Sequence, residues 1–189
     1  MRLLAVVAAV TPPGRLNAAV EFAVTFARGQ PSVEASQLNL ADYRVSFADG
    51  RPLERFTDDT ACVVRLLGKA DAILLASPVY RASFTGALKN LLDLTPIDAL
   101  RGKPIGIVAM GARSHHYLGV DWHLRTVLAW FGALVIPTGV YLESAHFQNG
   151  RLADEGARAD LTELAAALIA LAAAPRDRLG PLPLASRSA

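Results

Sequence analysis

Polar and aromatic residues suited to binding chemistry are concentrated in three short segments, residues 10–17, 77–83 and 111–116. In the second segment Tyr80 and Arg81 follow Pro78, which lacks an N–H group and forces the backbone to turn. The amides on either side of Pro78 can bind polar atoms at the edge of a flat aromatic ring, with Tyr80 near the ring face. The alternative is that Pro78 and Tyr80 only shape a loop.

The first segment leads into a predicted helix, and the exposed amides and dipole of a helix N-terminus attract phosphate. The candidate phosphate ligands are Thr11, Asn17 and the backbone of Gly14, Arg15 and Leu16, with Arg15 adding positive charge. Neither the Gly-x-Gly-x-x-Gly fingerprint nor the Gly-x-x-x-x-Gly-Lys-Ser/Thr motif is present. The alternative is an ordinary proline-rich turn.

The third segment offers close backbone approach at Gly111 and a possible helix N-cap at Ser114. The chain has 4 histidines, including the adjacent pair in this segment, and their positions show no metal-ligand spacing. We therefore predict no metal site. A hydrolase triad is poorly supported too, because there is no Gly-x-Ser-x-Gly elbow and Ser77 precedes a proline in a different turn.

The composition limits the class of protein. A chain of 189 residues, 52% hydrophobic and 19% charged, fits one globular domain with a sizeable core. A net charge of +2 without a dense basic run argues against nucleic-acid binding. No stretch approaches the roughly 18 apolar residues of a membrane span. Cys62 is the only cysteine, which excludes an internal disulfide and is compatible with a reducing, cytoplasmic compartment.

Apolar runs predict strands over residues 2–9, 33–40, 72–76, 104–110 and 134–142. The first run could pass for a signal peptide, but it leads directly into a turn and a helix, so we interpret it as a buried strand. Helical spacing follows each strand; the predicted helices include one with residues 57–59 in its first turn, one from Phe84 capped by Ser83, and a final one over 154–173. We expect residues 1–174 to form one domain and residues 175–189 to be a disordered tail.

The alternation of strands and helices implies a parallel sheet with helices on both faces. Five strands favour the flavodoxin-like order 2-1-3-4-5 over a six-stranded dinucleotide fold. In that order strands 1, 3 and 4 are neighbours, so the three polar segments converge on a single crevice at the carboxyl edge.

The fourth predicted helix, from about His115 to Phe131, has two apolar faces. Its core stripe is predicted to be Tyr117, Val120, Leu124, Val127, Leu128 and Phe131. Leu118, Trp122 and Ala129 lie well round from that stripe and indicate a subunit contact or a wall beside the bound ring. The alternative is that Trp122 lies under the C-terminal helix or tail of the same chain.

Two segments resemble the NADPH-dependent FMN reductase family, especially the reductases that supply reduced flavin to sulfonate monooxygenases. Ser77 to Asp93 is similar, almost residue for residue, to the family pattern Thr/Ser-Pro-x-Tyr-x-Ala-Ser-Tyr-Thr-Gly-x-Leu-Lys-x-x-Leu-Asp. Gly111 to Leu124 resembles a second family segment, Gly-Gly-Ser-x-x-His-Leu-Leu-x-x-Asp-Tyr-x-Leu. The resemblance covers about residues 2–172.

The resemblance implies a flavodoxin-like fold that binds FMN and transfers hydride from NADPH or NADH. It also implies a homodimer or homotetramer through the helix around Leu118 and Trp122, and a flavin-dependent monooxygenase as partner. The residues that would face the FMN phosphate are Thr11, Arg15, Leu16 and Asn17. Those that would line the isoalloxazine edge are Pro78, Val79, Tyr80, Arg81, Gly111, Ala112 and Arg113. No catalytic side chain is implied, since the flavin carries the chemistry.

Two departures from the family pattern matter. The family's first loop, Gly-Ser-Pro-x-x-x-Ser-Arg-Ser, is rich in hydroxyls, whereas residues 9–17 retain only that of Thr11. Each lost hydrogen bond to a charged phosphate costs roughly 1.5–3 kcal/mol, so we predict weak, exchangeable FMN binding or a changed flavin preference. Trp122 stands where sulfonate-type members have Tyr, so stacking and assembly are both expected to differ.

Two other functions fit the same fold. The first is a quinone, azo or metal-ion reductase that retains FMN as a prosthetic group. The second is a non-catalytic flavin-binding electron carrier, which needs no access for a nicotinamide.

Overall fold

The apolar runs of the sequence form the strands of a central sheet, and the amphipathic segments form the helices that cover it. The computed structural model describes residues 1–11, 13–175 and 179–181. The strands are β1 (Arg2–Val7), β2 (Glu34–Asn39), β3 (Ala72–Pro78), β4 (Pro104–Met110), β5 (Leu134–Val135), β6 (Val140–Leu142), β7 (Phe147–Gln148) and β8 (Arg151–Leu152). The helices are α1 (Arg15–Arg28), α2 (Thr60–Lys69), α3 (Gly86–Asp93), α4 (Tyr117–Trp130) and α5 (Glu155–Ala173).

The central sheet is parallel, and its order is β2-β1-β3-β4-β5, with β6 also paired to β4. At the carboxyl end of β1, Val7 pairs with Asn39 of β2 on one side and with Ala76 of β3 on the other. Helices α1 and α5 pack on one face of the sheet, and α2, α3 and α4 pack on the other. The predicted flavodoxin-like α/β fold is confirmed.

The predicted fifth strand, residues 134–142, is interrupted in its middle. β5 ends at Val135 and β6 begins at Val140, and both pair with β4. Pro137 lies in the gap and has no amide to offer the ladder. At Gly139 the backbone runs so close to its neighbours that a Cβ atom would lie 2.7 Å from Asp121 Oδ1. Within the described residues the sheet therefore has six strands, where the apolar runs predict five.

Helix α3 begins at Gly86 rather than Phe84, and Thr85, not Ser83, is its N-cap. The Thr85 hydroxyl accepts a hydrogen bond from the Leu88 amide at 3.2 Å and donates one to the Ala8 carbonyl at 2.8 Å. The Thr85 amide donates to Ser77 Oγ at 3.0 Å. Because Thr85 and Ser77 are buried, this one residue joins the ends of β1 and β3 to the start of α3.

Helix α2 also begins later than predicted, at Thr60, so residues 57–59 precede it instead of forming its first turn. The reason is a competing turn, in which Asp58 accepts hydrogen bonds from Ser46 Oγ at 2.6 Å and from the Thr60 amide at 3.0 Å. Hydrogen bonding, first from the Ser46 side chain and then from that of Thr60, lowers the pKa of Asp58 to about 2. The ionised carboxylate ties the long connection after β2 to the start of α2.

Helix α4 differs from the prediction at its first turn. A 3₁₀ turn over Ser114–His116 precedes the helix, so Ser114 does not act as its N-cap. Tyr117 is 55% exposed, although its spacing assigns it to the core stripe, whereas Val120 in the next turn is buried. Tyr117 instead borders an open groove together with Thr138.

The predicted disordered tail, residues 175–189, falls mostly on residues 176–178 and 182–189, which lie outside the described residues. It stays a prediction. Over the part of the chain that is described, none of the helices combines the length and the apolar character needed to cross a bilayer.

The buried Thr85 hydroxyl yields a prediction for stability. Replacement by the isosteric Thr85→Val removes the N-cap and leaves the Ala8 carbonyl without its partner, so we expect the free energy of unfolding to fall by about 2–4 kcal/mol. Thr85→Ser keeps the hydroxyl and serves as the matched control. Urea denaturation at neutral pH measures both variants. Equal stability of Thr85→Val and Thr85→Ser would show that the hydroxyl does not join these elements.

Candidate functional site

A cavity of about 370 Å³ opens at the carboxyl edge of the sheet, where the first four strands end. Its lining residues are Val7, Ala9, Thr11, Pro13, Gly14, Arg15, Leu16, Asn17, Asn39, Ala41, Pro78, Tyr80 and Met110. This is the edge at which open parallel sheets bind ligands, because neighbouring strands with opposite crossovers leave a crevice there. The described lining contains no Asp or Glu, so an anion bound in the cavity meets no opposing carboxylate.

Helix α1 presents an open N-terminus to this cavity. Its N-cap is Gly14, whose extended backbone (φ −144°) carries no side chain to cap the helix, and the first turn has no acidic residue. The first backbone hydrogen bond within the helix runs from the Ala18 amide to the Gly14 carbonyl at 3.0 Å. The amides of residues 15–17 precede that bond and lack partners in the helix ladder. Such an N-terminus is an anion site.

The Arg15 side chain adds a full positive charge to the same end of the cavity. Its Nη1 atom donates to Ser144 Oγ at 2.5 Å, across the cavity rim from the loop that follows β6. Arg15 also lines the cavity, and its hydrogen bond to Ser144 fixes one direction of the guanidinium. The two features together favour a ligand with a negative group.

The segment after β3 forms a tight hairpin turn. The Val79 amide donates to the Met110 carbonyl at 2.8 Å, and Tyr80 and Ser83 exchange backbone hydrogen bonds of 2.8 and 3.0 Å. The two residues between them, Arg81 and Ala82, both have positive φ values, 50° and 61°. This is the backbone pattern of a two-residue hairpin that glycine and asparagine usually occupy. It places Tyr80, which is 48% exposed, against the cavity.

Helix α4 supports this turn from outside. Gly119 lies so close to the turn that a Cβ atom there would be 2.7 Å from the Ala82 carbonyl oxygen. One turn further along the helix, His123 Nδ1 lies 3.0 Å from Ser83 Oγ. The positive-φ backbone of Arg81 and Ala82 is therefore stabilised by packing against α4, and α4 is itself anchored in the core.

The segment after β4 is fixed to β6. The Gly111 amide donates to the Leu142 carbonyl at 3.0 Å, and the Tyr141 hydroxyl donates to the Arg113 carbonyl at 2.7 Å. A Cβ atom at Gly111 would lie 2.0 Å from that hydroxyl, so only glycine leaves room for it. Burial, and then the charge of Glu143, raise the pKa of Tyr141, so its hydroxyl stays protonated at neutral pH and acts as the donor.

The structure brings some of the predicted site residues into the cavity and leaves others beside it. The predicted residues that line the cavity are Thr11, Arg15, Leu16, Asn17, Pro78 and Tyr80. Those at the same edge but outside the lining are Val79, Arg81, Gly111, Ala112 and Arg113. The side chain of Val79 packs against the core. Roles for this second group in ligand binding stay predictions.

Asn39 and Ala41, which line the cavity from the end of β2, are absent from the predicted site. The predicted strand order would have been enough to identify this end of β2 as part of the site. β2 lies next to β1 in the order 2-1-3-4-5, so a polar residue at the carboxyl end of β2 borders the same crevice. Met110, the last residue of β4, is also absent from the predicted site, because that site contains only residues of the loop after the strand.

Both the sequence and the fold are similar to those of known proteins. The family described as NADPH-dependent FMN reductase matches residues 1–147. An NAD(P)H-dependent FAD/FMN reductase of Geobacillus thermodenitrificans is 39% identical over 136 residues, which are 71% of this chain and 74% of that protein. An FMN reductase (NADPH) of Escherichia coli is 33% identical over 150 residues, 77% of this chain and 74% of that protein.

Among solved structures, the apo form of an NADH:FMN oxidoreductase superposes with a TM-score of 0.79, covering 96% of this chain and 97% of that one. Its sequence identity is 22%, so this match supports the fold alone. The family match spans every residue of the described cavity lining. The chain therefore belongs to the NADPH-dependent FMN reductase family.

Proposed function

We propose that the protein takes up FMN as an exchangeable substrate and releases the reduced flavin to a monooxygenase. As a member of its family, the chain is an oxidoreductase that passes hydride from NAD(P)H to FMN. The observation that supports this use of the cavity is the uncapped N-terminus of α1 with Arg15 beside it, at one end of a crevice of about 370 Å³. That volume lies within the range of cofactor sites.

The phosphate of FMN fits the α1 end of the cavity. The amides of residues 15–17 supply donors, the Arg15 guanidinium supplies charge, and the Thr11 hydroxyl and Asn17 amide lie in the same lining. Hydrogen bonds from charged or oriented donors to a phosphate are the stronger class of hydrogen bond. This assignment keeps all four of the predicted phosphate residues at one end of the crevice.

The ring of FMN fits the opposite end, beside Pro78 and Tyr80. The amides of Val79, Tyr80 and Gly111 are already used in backbone hydrogen bonds. The amides at this edge without a partner among the described residues are those of Arg81, Ala82, Ala112 and Arg113. We assign the recognition of polar ring atoms to these four amides. Three of them belong to residues that the family resemblance implies, and Ala82 is an addition to that set.

The flavin supplies the hydride-accepting chemistry, so the chain needs no acid or base of its own in the cavity. Its residues act by holding and orienting the ring, and by placing N–H dipoles where the reduced ring carries negative charge. Tyr80 is half exposed and forms one wall, leaving the mouth of the cavity open to a nicotinamide.

The loop before α1 suits exchange rather than retention. Thr11 carries the aliphatic hydroxyl of the described cavity lining, and the other hydroxyl there is the phenol of Tyr80. Most of the hydrogen bonds available to a phosphate beside α1 therefore come from backbone amides and Arg15. An exchangeable flavin is what a protein needs if it hands reduced FMN to a monooxygenase. A cytoplasmic location is consistent with the use of NAD(P)H and with the exposed Cys62 thiol.

Steady-state oxidation of NADPH and NADH, with and without added FMN, tests this function. We expect dialysed protein to be nearly flavin-free and its activity to require added FMN. Arg15→Met is expected to raise the KM for FMN roughly tenfold, by loss of a charged hydrogen bond, and to leave the KM for riboflavin nearly unchanged. Arg15→Lys is the charge-retaining control. Stoichiometric FMN that survives dialysis, with quinone reduction in the absence of added flavin, would instead support the prosthetic-group alternative.

We also propose that α4 joins copies of this chain into a homodimer or homotetramer. Leu118 and Trp122 are 49% and 70% exposed, on the side of the helix opposite the buried Val120 and Leu124. Among the described residues, nothing of the C-terminal helix covers Trp122. An adjacent pair of large apolar side chains on a helix near a ligand crevice is typical of a subunit contact.

Sedimentation velocity tests the assembly. Trp122→Glu places a charge in the centre of the proposed contact and is expected to shift the protein to monomers at micromolar concentration. Phe47→Glu, at an 83% exposed position on a different element, is the control and is expected to leave the assembly unchanged. A monomeric wild type, or an unchanged assembly in Trp122→Glu, would contradict the proposal.

A further inference from the structure

A row of side-chain amides borders the cavity from β2. Asn17 and Asn39 both line the cavity, and Gln37 lies between them. Gln37 Nε2 donates to Asn17 Oδ1 at 2.7 Å and to Asn39 Oδ1 at 3.0 Å. All three residues are partly buried, so water does not readily replace the hydrogen bonds between their side chains.

Asp42 fixes the direction of the whole row. Asn39 Nδ2 donates to Asp42 Oδ2 at 3.3 Å, and an ionised carboxylate can only accept. The Asn39 amide must therefore turn its nitrogen to Asp42 and its oxygen to Gln37. Gln37 must in turn present Nε2, and the second proton of Nε2 goes to Asn17 Oδ1.

This arrangement leaves one buried group without a partner. Gln37 Oε1 is buried and has no hydrogen bond among the described residues. Buried side-chain oxygens are usually satisfied, and each exception calls for an explanation. The opposite orientation of Gln37 would pair Oε1 with two amide donors, but it would leave Nε2 buried without a partner and would turn the Asn39 oxygen toward the Asp42 carboxylate. Neither orientation pairs every polar atom of Gln37, and the contact between Asn39 and Asp42 favours the one observed.

The consequence appears at the other end of the row. Because Asn17 Oδ1 accepts from Gln37, the donor Nδ2 is the part of the Asn17 amide that remains for a ligand, and it has no partner among the described residues. Asn17 is in the first turn of α1, where the backbone amides are also open. An Asn17 free to rotate could turn its oxygen toward an anion and repel it.

We propose that Gln37 is a positioning residue that holds Asn17 with its Nδ2 donor toward the phosphate of the flavin. The proposal rests on the proposed function for the identity of the anion. Asn39, the other partner of Gln37, directs its Nδ2 donor to Asp42, so the proposed effect on the phosphate passes through Asn17. It is expected to be confined to ligands that carry the phosphate and to disappear when Asn17 is absent.

Equilibrium binding of FMN and riboflavin tests this relation in Gln37→Met, Asn17→Ala and the double variant. Gln37→Met is expected to weaken FMN binding roughly tenfold and riboflavin binding less than about twofold, as for loss of one hydrogen bond to a charged group. The double variant is expected to bind FMN no more weakly than Asn17→Ala alone. Gln30→Met, the same substitution at the far end of α1, is the matched control.

Two outcomes would overturn the proposal: equal weakening of FMN and riboflavin by Gln37→Met, or effects of Gln37→Met and Asn17→Ala that add in full. A flavin-free readout separates this from the proposed function. In ¹⁵N-labelled wild type, inorganic phosphate should shift the Asn17 side-chain amide signal, and Gln37→Met should move that signal before phosphate is added and blunt its response.

If the wild type binds FMN no better than riboflavin, the phosphate assignment in the proposed function fails. The Asn17 side-chain amide signal alone then tests whether Gln37 orients Asn17. If the signal has the same position in Gln37→Met as in the wild type, Gln37 has no such role. If the signal moves and responds less to phosphate, Gln37 orients Asn17 toward an anion other than the flavin phosphate.

Discussion

The geometry of the site depends on a buried hydroxyl that does not line the cavity. Thr85 binds the carbonyl of Ala8, where β1 ends, and the Ser77 hydroxyl, where β3 ends, while it caps α3. The two segments that form most of the cavity wall leave from these strand ends. The parallel ladder between β1 and β3 spaces these strand ends, and Thr85 ties both of them to the start of α3. The loops that leave these ends can therefore adopt conformations that would not be stable alone.

Several costly features lie together at this edge of the sheet. Arg81 and Ala82 adopt left-handed backbone, at about 1–2 kcal/mol for each non-glycine residue. Helix α1 has no side-chain cap, whereas the Asp154 side chain caps α5 by accepting from the Ala157 amide at 2.8 Å. Gln37 Oε1 is buried without a partner. Open donors and strained backbone at one rim are consistent with a site whose ligand completes the missing contacts.

Sequence patterns were sufficient for the fold wherever burial alone decides the structure. β4 runs from Pro104 to Met110 as the apolar run predicts, because a strand covered on both faces needs little else. They failed where a distant contact decides. The start of α3 depends on a hydrogen bond from Thr85 to Ala8, 77 residues away in the chain, and the break at Pro137 and Gly139 depends on how closely that segment approaches β4 and α4.

The candidate site, like the fold, has a part that the sequence predicts and a part that it does not. The loops after β1 and β3 were predictable because parallel strands bring their carboxyl ends together. The roles of Asn39 and Gln37 were not, since they follow from the direction in which each amide is turned. The positive φ values at Arg81 and Ala82 have no sequence signal either, because neither residue is glycine or asparagine.

The scarcity of hydroxyls in the first loop gives the amide row its importance. In a loop with several serines, one misoriented asparagine would be a small part of the phosphate's environment. Here the lining offers Thr11, Asn17 and Arg15 as side-chain donors near the open helix end. One of these three donors is available only if the Asn17 amide is correctly oriented. Under the proposed function, a site of this composition is expected to release flavin readily. It is also the kind of site in which a glutamine on the neighbouring strand can decide whether FMN is distinguished from riboflavin.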